Sequence, residues 1–280
     1  MKILKIGLAV LVFAGLWVGT FLLHSAGGDD KTSDIHLGAT APDKDFVIVM
    51  MSPANIDTVK DVMRFKLDFV PQGKYMNPET HYPSMPLTLN VPDTDPKKQE
   101  QQIKAGQKPK SVEVEVDIEG EISAYPHDHY QTQMYAWLTD AMGQAVPVIY
   151  RYKDKLSGMD SSGGIEEETQ KLGLLTLNIE ISRTLEVRLF CYFINAMIAV
   201  LALAVVGVTY LVVIGGRKVE FGQMTWIGAT LFVFVSMRNS QPSVPTFGTT
   251  LDVLIFFWAE VLTATSLVLI ALTWMKRKPG

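Results

Sequence analysis

The chain has 280 residues, 48% of them apolar, and a formal net charge of −4. The apolar residues gather in 3–23 and 189–275, whereas 24–188 holds 26 of the 29 acidic and 17 of the 25 basic residues. A single soluble domain mixes core and surface residues along its whole length, so this segregation excludes a simple soluble enzyme and predicts a membrane protein with an acidic exported block.

A hydrocarbon core of roughly 30 Å takes about 20 apolar residues of helix to cross. The first run long enough is Ile6–Leu23, which carries no charge and follows Lys2 and Lys5. Its apolar stretch is longer than a usual signal core, and His24-Ser25-Ala26 is a poor small-x-small cleavage site. A retained signal anchor over 1–23 is therefore expected, with a cleaved signal peptide as the alternative.

Residues 24–188 read as mostly β. The alternating or β-branched runs are Phe46–Met51, Val62–Val70, Leu87–Val91, Val112–Ile118, Gln131–Leu138, Val146–Tyr152 and Leu174–Ile181. About seven such strands suit a β-sandwich, and no long helical pattern separates them, which argues against a parallel α/β sheet. Pro92–Lys110, with lysines at 97, 98, 104, 108 and 110, reads as a solvated loop, as does Ser161–Glu168. The only cysteine, Cys191, lies beyond this block, so the block has no disulfide, and the chain has no Asn-x-Ser/Thr sequon. Both absences fit a bacterial plasma membrane.

Phosphate-binding, dinucleotide-binding, zinc-protease and nucleophile-elbow motifs are all missing. The densest polar cluster is Tyr125-Pro126-His127-Asp128-His129-Tyr130. In a strand His127 and His129 share one face and Asp128 takes the other, so the spacing favours an inter-strand turn over a metal site.

Three further runs, 189–214, 221–237 and 251–275, are expected as transmembrane helices. The short connections between them force neighbours to run antiparallel. Lys2 and Lys5, Arg217 and Lys218, and Lys276–Lys278 then all fall on one side, the cytoplasm. Both termini, with the tail 276–280, would be cytoplasmic and 24–188 extracytoplasmic. The last run contains Asp252 and Glu260, which are costly in hydrocarbon and should face protein or water. Asp252 is placed to pair with Arg238 across the outer loop. Glu260 has no basic partner in any span, so it reads either as a protonated acid bonded to a neighbour such as Asn195 or as an ion or proton site.

Two motifs carry a resemblance. Tyr125-Pro126-x-Asp128-x-Tyr130 in an exported β-domain, and Arg238-x-x-Gln241-Pro242-x-x-Pro245-x-x-Gly248-x-x-x-Asp252 between the last two spans, resemble the membrane-protein family catalogued as domain of unknown function 4436. The resemblance covers nearly the whole chain and implies an architecture without an assigned activity. It implies Asp128, Arg238, Pro242, Gly248 and Asp252 as the positions such a family would mark. The order of β-domain, aromatic-Pro-x-Asp turn, three spans and Pro-containing loop is also distantly similar to pentameric ligand-gated channels. No cysteines flank Tyr125–Asp128, however, and no span follows Met275.

The expected fold is thus an α+β membrane protein: an N-terminal anchor helix, an extracytoplasmic β-sandwich-like domain over 24–188, and a C-terminal three-helix transmembrane bundle over 189–275. The expected function is non-enzymatic, with no catalytic or metal site, no cofactor and no nucleic-acid partner. The β-domain would bind a ligand, a wall component or a partner membrane protein. The alternative is a subunit of an ion-conducting or transporting homo-oligomer. Candidate residues are Tyr125, Pro126, Asp128, Arg238, Pro242, Gly248, Asp252 and Glu260.

Overall fold

Alternation of apolar and polar side chains dictates most of the strands, because successive residues of a strand face opposite ways. The computed structural model describes residues 32–35, 44–91, 93, 95–153, 156–165 and 176–277. The expected anchor over 1–23 and the end of the tail lie outside the described residues. The chain divides into two compact units, Met1–Glu119 with Gln131–Ile181, and Gly120–Tyr130 with Ser182–Gly280.

The first unit is β-rich. In chain order the strands are β1 (Thr32–Ile35), β2 (Val47–Asp57), β3 (Val62–Pro71), β4 (Leu87–Asn90), β5 (Glu100–Ile103), β6 (Val112–Asp117) and β7 (Glu119–Gly120). They continue with β8 (His129–Tyr135), β9 (Trp137–Thr139), β10 (Ala145–Val146), β11 (Val148–Lys153), β12 (Met159–Ile165) and β13 (Thr176–Arg183). Three sheets result, with orders β1-β11-β2-β3-β6, β10-β9-β4-β5 and β12-β13-β8-β7.

The β2–β3 hairpin sets the core. Its register opposes Val49 to Phe69 and Met51 to Leu67, and a bulge between Pro53 and Asn55 shifts the pairing beyond. On β6 the V-E-V-E-V-D run puts Val114 and Val116 opposite Phe65 and Met63. All of these apolar side chains are buried.

Several details differ from the sequence reading. Gln131–Leu138 breaks at Ala136, whose carbonyl accepts the Tyr150 hydroxyl instead of a ladder bond. Val146–Tyr152 breaks at Pro147, which has no N–H to donate. Pro92–Lys110 is not simply a loop: it contains β5, paired antiparallel with β4 and anchored by buried Ile103. Likewise Ser161–Ile165 belongs to β12. The pairing of β11 with β2 is parallel.

The second unit is helical. Helix α1 (Leu185–Val213) begins at Thr184, whose hydroxyl accepts from the Val187 N–H. Helix α2 (Phe221–Asn239) opens with a reciprocal Glu220–Gln223 cap. A π-helical segment, Asp252–Phe256, leads into α3 (Phe257–Lys276). The three helices pack together through Ile194, Ile198 and Ala202 of α1, Phe234 of α2, and Phe256 and Ala259. A second layer joins Val205, Val212, Ile227 and Ile270.

The π segment sets the phase of α3. Inward positions are Phe256, Ala259, Thr263, Ser266 and Ile270, and Glu260 sits half-buried at their flank. Two helical stretches, Leu185–Val213 and Asp252–Lys276, are long and apolar enough to cross a membrane. Helix α2, interrupted by Gln223, Thr225, Thr230 and Ser236, is not one of them. The side chain of Arg277 donates to the carbonyls of Val212 and Arg217, which brings the end of α3 beside the α1–α2 loop.

Candidate functional site

The densest buried polar chemistry lies in the helical unit, around two arginine–aspartate pairs. The first is built by the turn Gly120–Tyr130. A short 3-10 turn, Ile122–Ala124, precedes a cis Tyr125–Pro126 bond, and Asp128 follows. Gly120 is required at the turn's start. A Cβ there would lie 2.5 Å from the His129 carbonyl oxygen and strike the Tyr130 ring.

Asp128 is fully buried, and its partner is Arg183, 2% exposed, at the last residue of β13. Arg183 Nε donates to both carboxylate oxygens at 2.9 and 3.0 Å, and Nη2 donates to Oδ2 at 2.8 Å. The Tyr130 hydroxyl adds a third donor to Oδ2 at 2.9 Å. The guanidinium stands 4.7 Å from the Tyr125 ring centroid. Its Nη1 reaches the Pro242 carbonyl at 3.4 Å and Nη2 the Ser243 carbonyl at 3.5 Å. Burial alone pulls the arginine pKa down. The hydrogen bonds and charge of Asp128 outweigh it and hold the group above its ordinary range.

Tyr125, 1% exposed, donates its hydroxyl to the Pro242 carbonyl at 3.0 Å. The Cys191 sulfur lies 3.0 Å from the Tyr125 hydroxyl oxygen. With the phenol proton committed to Pro242, the thiol is left as donor to the phenol oxygen. Burial, followed by the Cys191 contact, pushes the Tyr125 hydroxyl far above its usual value, so it stays protonated. The turn is fastened at two further points. Thr250 Oγ1 donates to the Ser123 carbonyl at 3.0 Å, and His127 Nε2 bonds the Tyr192 hydroxyl.

The second pair joins Arg238, the penultimate residue of α2, to Asp252. Nε donates to Oδ1 at 2.9 Å and Nη2 to Oδ2 at 2.7 Å, with both side chains 4% exposed. Asp252 also accepts the backbone N–H groups of Gly248 and Thr249 at 3.1 Å each. Gly248 takes φ of +114°, a conformation that favours glycine. Arg238 reaches the Thr246 carbonyl and stands 4.5 Å from the Phe247 ring centroid.

The two pairs therefore share one design. Each has a buried guanidinium, a bidentate carboxylate, an aromatic face and a carbonyl from the loop after α2. Arg183 holds Pro242 and Ser243, and Arg238 holds Thr246. Bidentate geometry adds directional specificity that a lysine does not supply.

The sequence-predicted residues Tyr125, Pro126, Asp128, Arg238, Pro242, Gly248 and Asp252 come together here. Glu260 does not join them. Its Oε1 has no hydrogen-bond partner, and Asn195 donates to the Cys191 carbonyl instead. The metal reading of His127, Asp128 and His129 fails on geometry, because Asp128 is taken by Arg183 and His129 is exposed on the start of β8. Sequence reasoning missed Arg183. Its available signal was a basic residue at the end of the last strand run, just before a long apolar run.

The β-rich unit has a cleft of about 480 Å³ lined by Asp93, Asp117, Glu119, Gln131, Gln133 and Tyr135, among others. That volume is within the range of small-molecule sites. Tyr135 stacks on Trp137 at 6.3 Å between centroids.

Comparison with known proteins divides the chain in two. Residues 183–277 match the family described as Domain of unknown function (DUF8686), so the Arg238–Asp252 motif belongs to that match. No curated protein matches the chain. Residues 37–181, more than half of the chain and including the Tyr125–Tyr130 turn, match Domain of unknown function (DUF4436), which corrects the near-complete coverage implied by the resemblance. The chain belongs to the DUF4436 family.

Proposed function

We propose that this protein is a non-enzymatic, multi-pass plasma-membrane protein. Its extracytoplasmic β-rich unit binds a ligand, a wall component or a partner protein, and a bundle of three transmembrane helices anchors it. The turn Gly120–Tyr130, drawn from the middle of the β-rich sequence, is fastened to the loop between α2 and α3. The observation that carries this reading is the Asp128–Arg183 pair. It fastens a turn cut from the middle of the β-rich sequence to the start of α1 and to Pro242 and Ser243. Both carboxylates are saturated by guanidinium and other donors, which supports a mechanical rather than a catalytic role.

The orientation is tested in cells with a membrane-impermeant maleimide. Ala105→Cys should label in intact cells, and Lys218→Cys only after permeabilisation. The reverse pattern would overturn the topology.

A second reading, an ion-conducting or transporting homo-oligomer, is favoured by α2. Among the large apolar residues exposed on α2, such as Phe221, Trp226 and Phe232, stand the small or polar Gly222, Thr225, Ala229 and Ser236, and small residues let a neighbouring helix approach closely. The mass of the detergent-solubilised protein by light scattering distinguishes a closed ring from a monomer or dimer.

A further inference from the structure

Helical threonines have a default partner, the carbonyl four residues earlier. Thr209, Thr225, Thr230 and Thr273 all use it, donating to the carbonyls of Val205, Phe221, Trp226 and Leu269 respectively. Thr263 does not. It is 0% exposed on the inward stripe of α3, and its hydroxyl has no hydrogen-bond partner. One turn earlier, Glu260 Oε1 is buried and equally without one. Residues three apart lie one turn from each other on adjoining sides of a helix, so both orphan oxygens belong to the same stretch of α3.

A native fold rarely leaves even one such atom unpaired. Two together, one of them ionisable, call for a ligand that the chain does not supply. The charges on the three helices do not supply it. Of the other ionisable side chains they carry, Cys191, Arg238 and Asp252 are buried. Cys191 contacts Tyr125, and Arg238 holds Asp252. Glu186, Arg188, Tyr192, Tyr210 and Lys276 occupy exposed or half-exposed positions. An intramembrane acid without a counter-charge is a functional site by default.

We propose that Glu260 and Thr263 form the protein's part of a site for a small monovalent cation, a proton or an alkali ion, held between the three helices. Both donors are oxygens, which suit hard cations and not soft metals. A single carboxylate neutralises one positive charge. Among the described residues no group of three or more His, Cys, Asp or Glu side chains gathers to hold a divalent metal. The inference goes beyond the anchoring reading and does not depend on what the β-rich unit binds.

The test is infrared difference spectroscopy of the full chain in lipid nanodiscs, in the carboxylic-acid carbonyl region. Wild type, Glu260→Gln and Thr263→Val are compared over a pH series, with sodium replaced by N-methylglucamine in the control. A wild-type band that is absent in Glu260→Gln and is displaced by sodium assigns the site to the alkali ion. Thr263→Val should then raise the sodium concentration needed by about tenfold, the cost of one lost polar contact. A band that titrates with pH and ignores sodium assigns it to the proton, and Thr263→Val should move its midpoint by about one pH unit. Identical spectra and responses in wild type and Glu260→Gln would overturn the proposal. Should Glu260→Gln fail to fold, a Thr263→Val response indistinguishable from wild type would overturn it instead. Failure of the membrane reading would appear separately, as a chain that does not sediment with membranes.

Discussion

At the scale of the residue, the two arginine–aspartate pairs look alike but differ in what else their carboxylates do. Asp128 accepts from Arg183 and a tyrosine hydroxyl, whereas Asp252 also accepts two backbone N–H groups. Removing one partner strands a buried charge, so Asp128→Ala should cost about 3–5 kcal/mol in thermal unfolding of the full chain. Exchanging Arg238 and Asp252 keeps the opposite charges but leaves the Gly248 and Thr249 N–H groups without an acceptor. The exchanged protein should therefore remain as destabilised as either single change, and recovery of the wild-type melting temperature would contradict the assigned role of Asp252. Gly248→Ala meets no neighbour within 4 Å, so its cost is backbone strain alone, about 1–3 kcal/mol. The Arg238–Asp252 pair was legible in the sequence, because two charges bracketing a loop between apolar runs have few other places to go. Arg183 was not legible, because 55 residues separate it from Asp128 and no local pattern links them.

At the scale of the element, alternation located the principal strands, since burial on one face demands it. Short edge strands escaped notice. β5 reads E-Q-Q-I, with one apolar residue for its sheet to bury, and its pairing comes from the neighbouring β4. The core itself should behave conventionally: Phe65→Ala removes a fully buried ring between β2 and β6 and should cost about 3–5 kcal/mol. The Arg64–Glu115 pair on the exposed face of the same strands should contribute little to stability, because solvent screens it. The π segment Asp252–Phe256 carries one residue more than an α-helical turn, a feature invisible to a helical wheel. Deleting Val253 should restore α-geometry and rotate Asp252 by about 100° against the inward stripe, breaking its pair with Arg238. Hydrogen exchange at the Gly248 and Thr249 amides reads this directly, and unchanged protection would contradict it.

At the scale of the whole molecule, the first family match ends at residue 181 and the second begins at 183, beside the chain position, Ile181/Ser182, where the division into two units also falls. The turn Gly120–Tyr130 is the exception. By sequence it belongs to the DUF4436 match, and by structure to the helical unit. That crossing joins a segment of the DUF4436 match to the loop after α2, and hydropathy could not reveal it, because it depends on contacts between segments far apart in the chain. The central claim is that Asp128 and Arg183 bind the turn and the loop after α2 into one mechanical element. Hydrogen exchange by mass spectrometry on the full chain in detergent, comparing wild type with Asp128→Asn and Arg183→Gln, tests it most directly. The account predicts that either substitution raises exchange in 120–130 and in 240–250 together and leaves β2 and β3 protected. Faster exchange confined to only one of those two segments would contradict it.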